Sequence, residues 1–230
     1  MRTLRRGSRG IDVEFMQRLL VRADVREHAD VPYFGSDGRF DAECDRAIRV
    51  FQRRHAGLVV DGIVGPQTWS ALGLRSHREH PIERYGQPTG MSCWSAAATM
   101  ILGRNMSVGA GGATLGPTGG LDADYDNIQA FGRALGWRMP DHSPDVRELV
   151  GMLLASPLWI GLQHASGRHA VVLSGVYSDG DPSGQGTMVR IHDPWPPGRG
   201  AVYGSFANPI ILRDGTFRAV ASLEYLLIPN

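Results

Sequence analysis

From Trp94 to Leu102 the chain reads Trp-Ser-Ala-Ala-Ala-Thr-Met-Ile-Leu, with no charge and no helix breaker. A helix of this kind is small and apolar all round, has no face to give to water, and forces the rest of the chain to fold around it. It opens on Cys93, behind Gly86-Gln87-Pro88-Thr89-Gly90-Met91-Ser92, whose glycines and proline read as a loop. A thiol at a helix start meets unpaired N–H groups and the positive end of the dipole. Both favour the thiolate, the species that attacks carbonyl carbon.

A thiolate nucleophile needs a base, and the base needs an orienting group. Gly167-Arg168-His169-Ala170-Val171-Val172-Leu173-Ser174-Gly175-Val176 sets His169 at the mouth of an apolar strand. Met188-Val189-Arg190-Ile191-His192-Asp193-Pro194-Trp195 is a second strand ending at Asp193, one hairpin later, so both side chains are expected at the same end of a sheet. Gln87, six residues before the cysteine, is placed to offer its amide to a developing oxyanion beside the Cys93 N–H. His164 and His192 are rival bases. The first precedes a polar turn, and strand alternation sends the second to the face opposite Asp193. The plain alternative for Cys93 is an inert buried thiol.

The order Gln, Cys, His, Asp, and Gly90-Met91-Ser92-Cys93-Trp94 in particular, resembles the papain-like superfamily, most closely the compact bacterial branch that includes avirulence-type effector proteases. The resemblance implies Gln87 as oxyanion donor, Cys93 as nucleophile, His169 as base and Asp193 as orienter, on a helix packed against an antiparallel sheet. Papain itself uses Asn as orienter, so Asp193 follows the variant branch. Trp94 and Trp195 are candidates for substrate contact; Trp195 reads equally as a cover for the sheet end.

Upstream, Val13, Met16, Leu19 and Leu20 recur at helical spacing over about 11–22, with Asp12 placed to start or cap that helix. A second amphipathic stretch, Ala42 to His55, carries Cys44, Ala47, Ile48 and Phe51 on one face, so Cys44 reads as core. Thr68 to Leu72 is a third, short helix behind Pro66. Asp37-Gly38-Arg39-Phe40 and Asp61-Gly62-Ile63-Val64 form a weak internal repeat. This text, with Leu4 to Gly10, Gln17-Arg18-Leu19-Leu20, Ala47 to Gln52 and Gly57 to Trp69, resembles the bacterial peptidoglycan-binding domain, a three-helix module of cell-wall hydrolases. Asp41 stands where that family usually has Gly, and residues 24–36 are longer and more polar than usual. A three-helix adaptor that no longer binds wall is the alternative.

Ser76 to Pro81 is polar and mixed in charge, so 76–85 reads as a linker, with His77 and His80 lacking further ligands for a metal. Asp122-Ala123-Asp124-Tyr125-Asp126 imitates a calcium loop, but Asn127 and Arg133 stand where Gly and Glu are required, so it reads as a helix start. Gly109 to Gly116 lacks a phosphate-loop ending and reads as a loop bordering the cleft. His28, His55 and His142 have no catalytic companions.

The expected fold is α+β: a three-helix domain (1–75), a linker (76–85) and a papain-like hydrolase domain (86–230). Its 24 basic residues, all Arg, against 23 acidic ones give +1, which argues against nucleic acid as a partner. No apolar run approaches about 18 residues and the N-terminus shows no signal peptide, so no membrane partner is expected and export would take an injection-type route. The combination implies a cysteine amidase or endopeptidase that binds peptidoglycan and cuts its stem peptides, without metal or organic cofactor, as an antibacterial effector with an immunity or inhibitor protein. Two alternatives stand: a protease of host or competitor proteins, and a non-catalytic wall-binding protein.

Overall fold

The computed structural model describes residues 1–23, 36–104, 106–213 and 218–230. They divide into two compact units, Met1–His77 with Tyr177–Met188, and Arg78–Val176 with Val189–Asn230. The long polar connection expected at 24–36, and His28 within it, lies outside the described residues apart from Ser36.

In the first unit, helices α1 (Ile11–Arg22), α2 (Ala42–Arg54) and α3 (Pro66–Ala71) follow the apolar spacing. Val13, Met16, Leu19, Cys44, Ile48, Phe51 and Trp69 are buried, and Phe15 stacks on Trp69 at 6.0 Å. The internal repeat has a physical cause. Gln17, buried, donates to Asp37 Oδ1 and Arg39 O while its Oε1 accepts from the Gly38 N–H. Gln52, also buried, donates to Asp61 Oδ1 and Ile63 O while its Oε1 accepts from the Gly62 N–H. Each Asp-Gly turn is thus clamped by one glutamine, and both glycines take positive φ, 72° and 71°. Asp41 caps α2 by accepting from the N–H groups of Glu43 and Cys44. Gly10, not Asp12, is the N-cap of α1; Asp12 lies in its first turn and pairs with Arg2.

The second unit is built on a seven-stranded sheet, among the described residues, in the order β5-β4-β3-β2-β7-β6 with β1 against β3. The strands are β1 (Ser76–Glu79), β2 (Leu158–His164), β3 (Gly167–Ser178), β4 (Thr187–Asp193), β5 (Ala201–Phe206), β6 (Ile210–Arg213) and β7 (Arg218–Leu227). The linker expected at 76–85 is therefore corrected. Its first four residues form a strand against β3 in which His77, Arg78 and Glu79 all stay exposed, and His80 behind it is buried with Nε2 2.7 Å from Leu153 O.

Helices α4 (Cys93–Leu102) and α5 (Tyr125–Ala134) share one core with Trp159, Ala170, Val172 and Leu227. Leu149 and Leu153 of α6 (Val146–Ala155) share the other with Ile160, Val171, Leu173, Val189 and Ile191. Successive residues of β3 enter different cores, so the strand is apolar without a break. Asp124 caps α5 through the Asn127 N–H, the role expected of this acidic run, and Asp145 with Glu148 forms a capping box on α6.

Candidate active site

Cys93 is the first residue of α4, which Trp159 Nε1 fixes against β2 by donating to Trp94 O at 3.0 Å. β2 and β3 form an antiparallel hairpin turning at Ala165-Ser166, in register Leu162↔His169, so His169 stands two residues inside the strand. β4 runs back beside β3 and ends on Asp193. The two side chains meet there: His169 Nε2 is 2.6 Å from Asp193 Oδ1, with the side chains 13% and 4% exposed. Cys93 and His169 both line the cleft, and each bears on the other's protonation. An imidazole whose Nε2 is taken by the carboxylate offers Nδ1 to the sulfur.

Asp193 Oδ1 accepts a second bond from the Trp195 N–H at 2.8 Å, and Oδ2 accepts from the Tyr203 hydroxyl at 2.7 Å. Burial alone would push the thiol of Cys93 up, but the bond to His169, its charge, and the N–H groups of Ala170 and Trp94 bring it below the ordinary thiol value. Burial pulls His169 down, and the bonds to Asp193 and Cys93 outweigh it and raise the imidazolium. Cys44 is the opposite case: burial, and then the acidic residues around it, push it up to about 12, an inert core thiol.

Gln87 is buried, but the structure aims its amide elsewhere than expected. Nε2 donates to Thr89 O at 2.7 Å, Oε1 has no hydrogen-bond partner, and Gln87 is not among the residues lining the cleft over Cys93. Its backbone instead ties the loop to the turn after Asp193, through Gln87 N–H to Pro194 O and Gly198 N–H to Gln87 O, both 2.9 Å. Gly86 makes that approach possible, because a Cβ there would lie 2.3 Å from Arg199 N. Trp94 lines the cleft and is also packed, T-shaped against Phe131 with Nε1 donating to Gly119 O. Trp195 does not line the cleft; it turns out at the sheet end, 37% exposed, and contributes its N–H to Asp193.

The cleft walls include Met91, Asp122, Gln163, Arg168, Glu224 and Tyr225, with Arg168 bridging to Glu224 at 2.8 and 3.0 Å. The Gly109–Gly116 segment is not part of this lining; the wall on that side is Gly120–Ala123. Thr114 is pinned instead by Asn127, which bonds both its N–H and its carbonyl. His192 is buried with Nδ1 2.7 Å from Ser174 Oγ, and its opposite-face placement follows the alternation. Among the described residues no group of three His, Cys, Asp or Glu side chains is arranged to hold a metal ion. Sequence reasoning missed Tyr203, the Ala170 N–H and the Arg168–Glu224 pair. They reach the site through strand register, which no local motif encodes.

Residues 75–208 match the family described as papain-like cysteine protease AvrRpt2, and residues 9–72 match the peptidoglycan binding domain family. Among curated proteins, the chain is similar to the N-acetylmuramoyl-L-alanine amidase CwlL of Bacillus licheniformis, 36% identical over 37% of this chain and 22% of that protein. It is also similar to the N-acetylmuramoyl-L-alanine amidase CwlM of Mycobacterium tuberculosis, 56% identical over 17% of this chain and 9% of that protein. The chain thus spans less than a quarter of either relative. Among solved structures, an endolysin of the Burkholderia phage AP3 matches over 59% of this chain and 63% of its own, at 23% identity and a TM-score of 0.27.

Proposed function

The chain belongs to the papain-like cysteine protease AvrRpt2 family and carries a peptidoglycan-binding domain ahead of it, and from that premise we propose a cysteine hydrolase that binds peptidoglycan and cuts an amide bond in its stem peptides. What supports the chemistry is Cys93 and His169 together in the cleft lining, with His169 bonded to Asp193 behind it. The substrate reading is supported by the wall-binding module and by the amidase names of the partial relatives.

In this reading the Cys93 thiolate attacks the amide carbon and the carbonyl oxygen becomes an oxyanion beside the first-turn N–H of α4. The imidazolium of His169 gives its proton to the leaving amine, which departs and leaves a thioester. His169 then takes a proton from water, which adds to the thioester and releases the carboxylate and the thiol. Asp193 holds the imidazole in the tautomer and plane this requires. Gln87 assists the oxyanion only when its amide leaves Thr89 O. Attachment through the first unit raises the local concentration of stem peptides.

Digestion of purified peptidoglycan by the full chain and by Cys93→Ala, read by mass spectrometry, tests the proposal. Stem-peptide fragments released by the native chain alone support it; no release by either removes the wall as substrate. The AvrRpt2 family match favours a second reading, a protease of competitor or host proteins. Cleavage of a denatured-protein panel without wall hydrolysis would select that reading. Delivery to a rival cell and protection by an immunity protein remain part of the proposal for either substrate.

A further inference from the structure

We propose that Tyr203 is a positioning residue of the hydrolytic site, fixing the Asp193 carboxylate so that one oxygen faces His169. The inference rests on the Cys93 hydrolase reading above. Asp193 is buried, and its two oxygens are used differently: Oδ1 takes His169 and the Trp195 N–H, while Oδ2 takes the Tyr203 hydroxyl at 2.7 Å. A carboxylate held on one oxygen alone can pivot, and a buried oxygen without a donor makes the charge costly to keep.

Tyr203 is itself held. It lies on β5, beside β4, and packs against the core of the sheet. Its hydroxyl gives its proton to the bond with Asp193 Oδ2. Burial and the neighbouring carboxylate keep the phenol protonated throughout the working range. The series His169, Asp193 therefore continues to Tyr203 on β5, away from the cleft, so Tyr203 acts through Asp193 and touches no substrate.

Tyr203→Phe in the full chain removes only the hydroxyl. The readout is the rate of Cys93 alkylation by iodoacetamide as a function of pH, with Cys93→Ala as the label control and thermal unfolding measured alongside. A weaker hold on Asp193 stabilises the imidazolium less, so the thiolate forms at higher pH, and alkylation near pH 6 is expected to fall about tenfold, the effect of one hydrogen bond to a charged group. The loss should shrink toward pH 9, where any thiol ionises. Hydrolysis of whichever substrate the chain accepts should lose kcat with KM unchanged. Alkylation of Tyr203→Phe equal to or faster than the native chain near pH 6, or a loss that tracks unfolding and is the same at every pH, overturns the inference. A native chain whose Cys93 shows no thiolate near pH 6 would instead overturn the hydrolase reading.

Discussion

His169 Nε2 and Asp193 Oδ1 stand 2.6 Å apart across two antiparallel neighbours that the chain reaches 24 residues apart. With Cys93 in the same cleft as the imidazole, this contact bears on the protonation of both.

Cys93 lies below its ordinary value and His169 is raised to about 10, shifts that favour thiolate and imidazolium over the neutral pair. Hydrolysis is expected to be fully developed near neutral pH, where a free thiol is still mostly protonated, and to fall as pH rises through about 10 and the imidazolium loses the proton destined for the leaving amine. A rate still climbing between about pH 8 and 9, as an unassisted thiol would give, contradicts this.

Asp193→Ala removes the orienting charge and leaves both Tyr203 and His169 without their acceptor. A loss in kcat on the order of a hundredfold or more is expected, with residual alkylation of Cys93 only at alkaline pH. Activity within a few-fold of the native chain would show that His169 needs no orienter.

Gly86→Ala would bring a Cβ to 2.3 Å from Arg199 N and 2.6 Å from Gly198 C, both backbone atoms. The Gln87 loop must then separate from the turn after Asp193, at about 1–3 kcal/mol of stability. Urea unfolding together with kcat measures both consequences, and an unchanged midpoint would mean that the loops yield freely.

Gln52→Leu strips three hydrogen bonds from the second Asp-Gly turn, to Asp61, Ile63 and Gly62. Wall pull-down should weaken, with about 2–4 kcal/mol lost from the first unit, while cleavage of a short soluble peptide persists. Loss of both activities together would contradict a separate binding role.

Burial, followed by the charges of Arg190 and Arg84, lowers His192 to about 4, so the folded chain keeps it neutral where the unfolded chain protonates it. Stability from this group is complete above about pH 6.5, the unperturbed value, and is lost as pH falls toward about 4. His192→Gln should therefore show a smaller drop in Tm between neutral pH and about pH 4.5 than the native chain. An equal drop would place the acid sensitivity elsewhere.

Elements whose information is local could be read from the residues alone. The uncharged run Trp94–Leu102, the apolar strand from Ala170 and the amphipathic faces of α1 and α2 can be buried in only one way. Cys93 at a helix start, His169 at a strand mouth and Asp193 at a strand end were legible for the same reason. The segment Ser76–Glu79 was not, since a polar edge strand and a solvated linker have the same composition and differ only in whether a neighbour accepts their hydrogen bonds. Gln87 and Trp195 were legible as neighbours of the site, but side-chain direction follows from loop contacts that Gly86 and Gly200 permit. Tertiary structure alone brought Tyr203 to Asp193. A hydroxyl ten residues away meets a carboxylate only when the register of β4 and β5 sets them opposite, and register is a property of the assembled sheet.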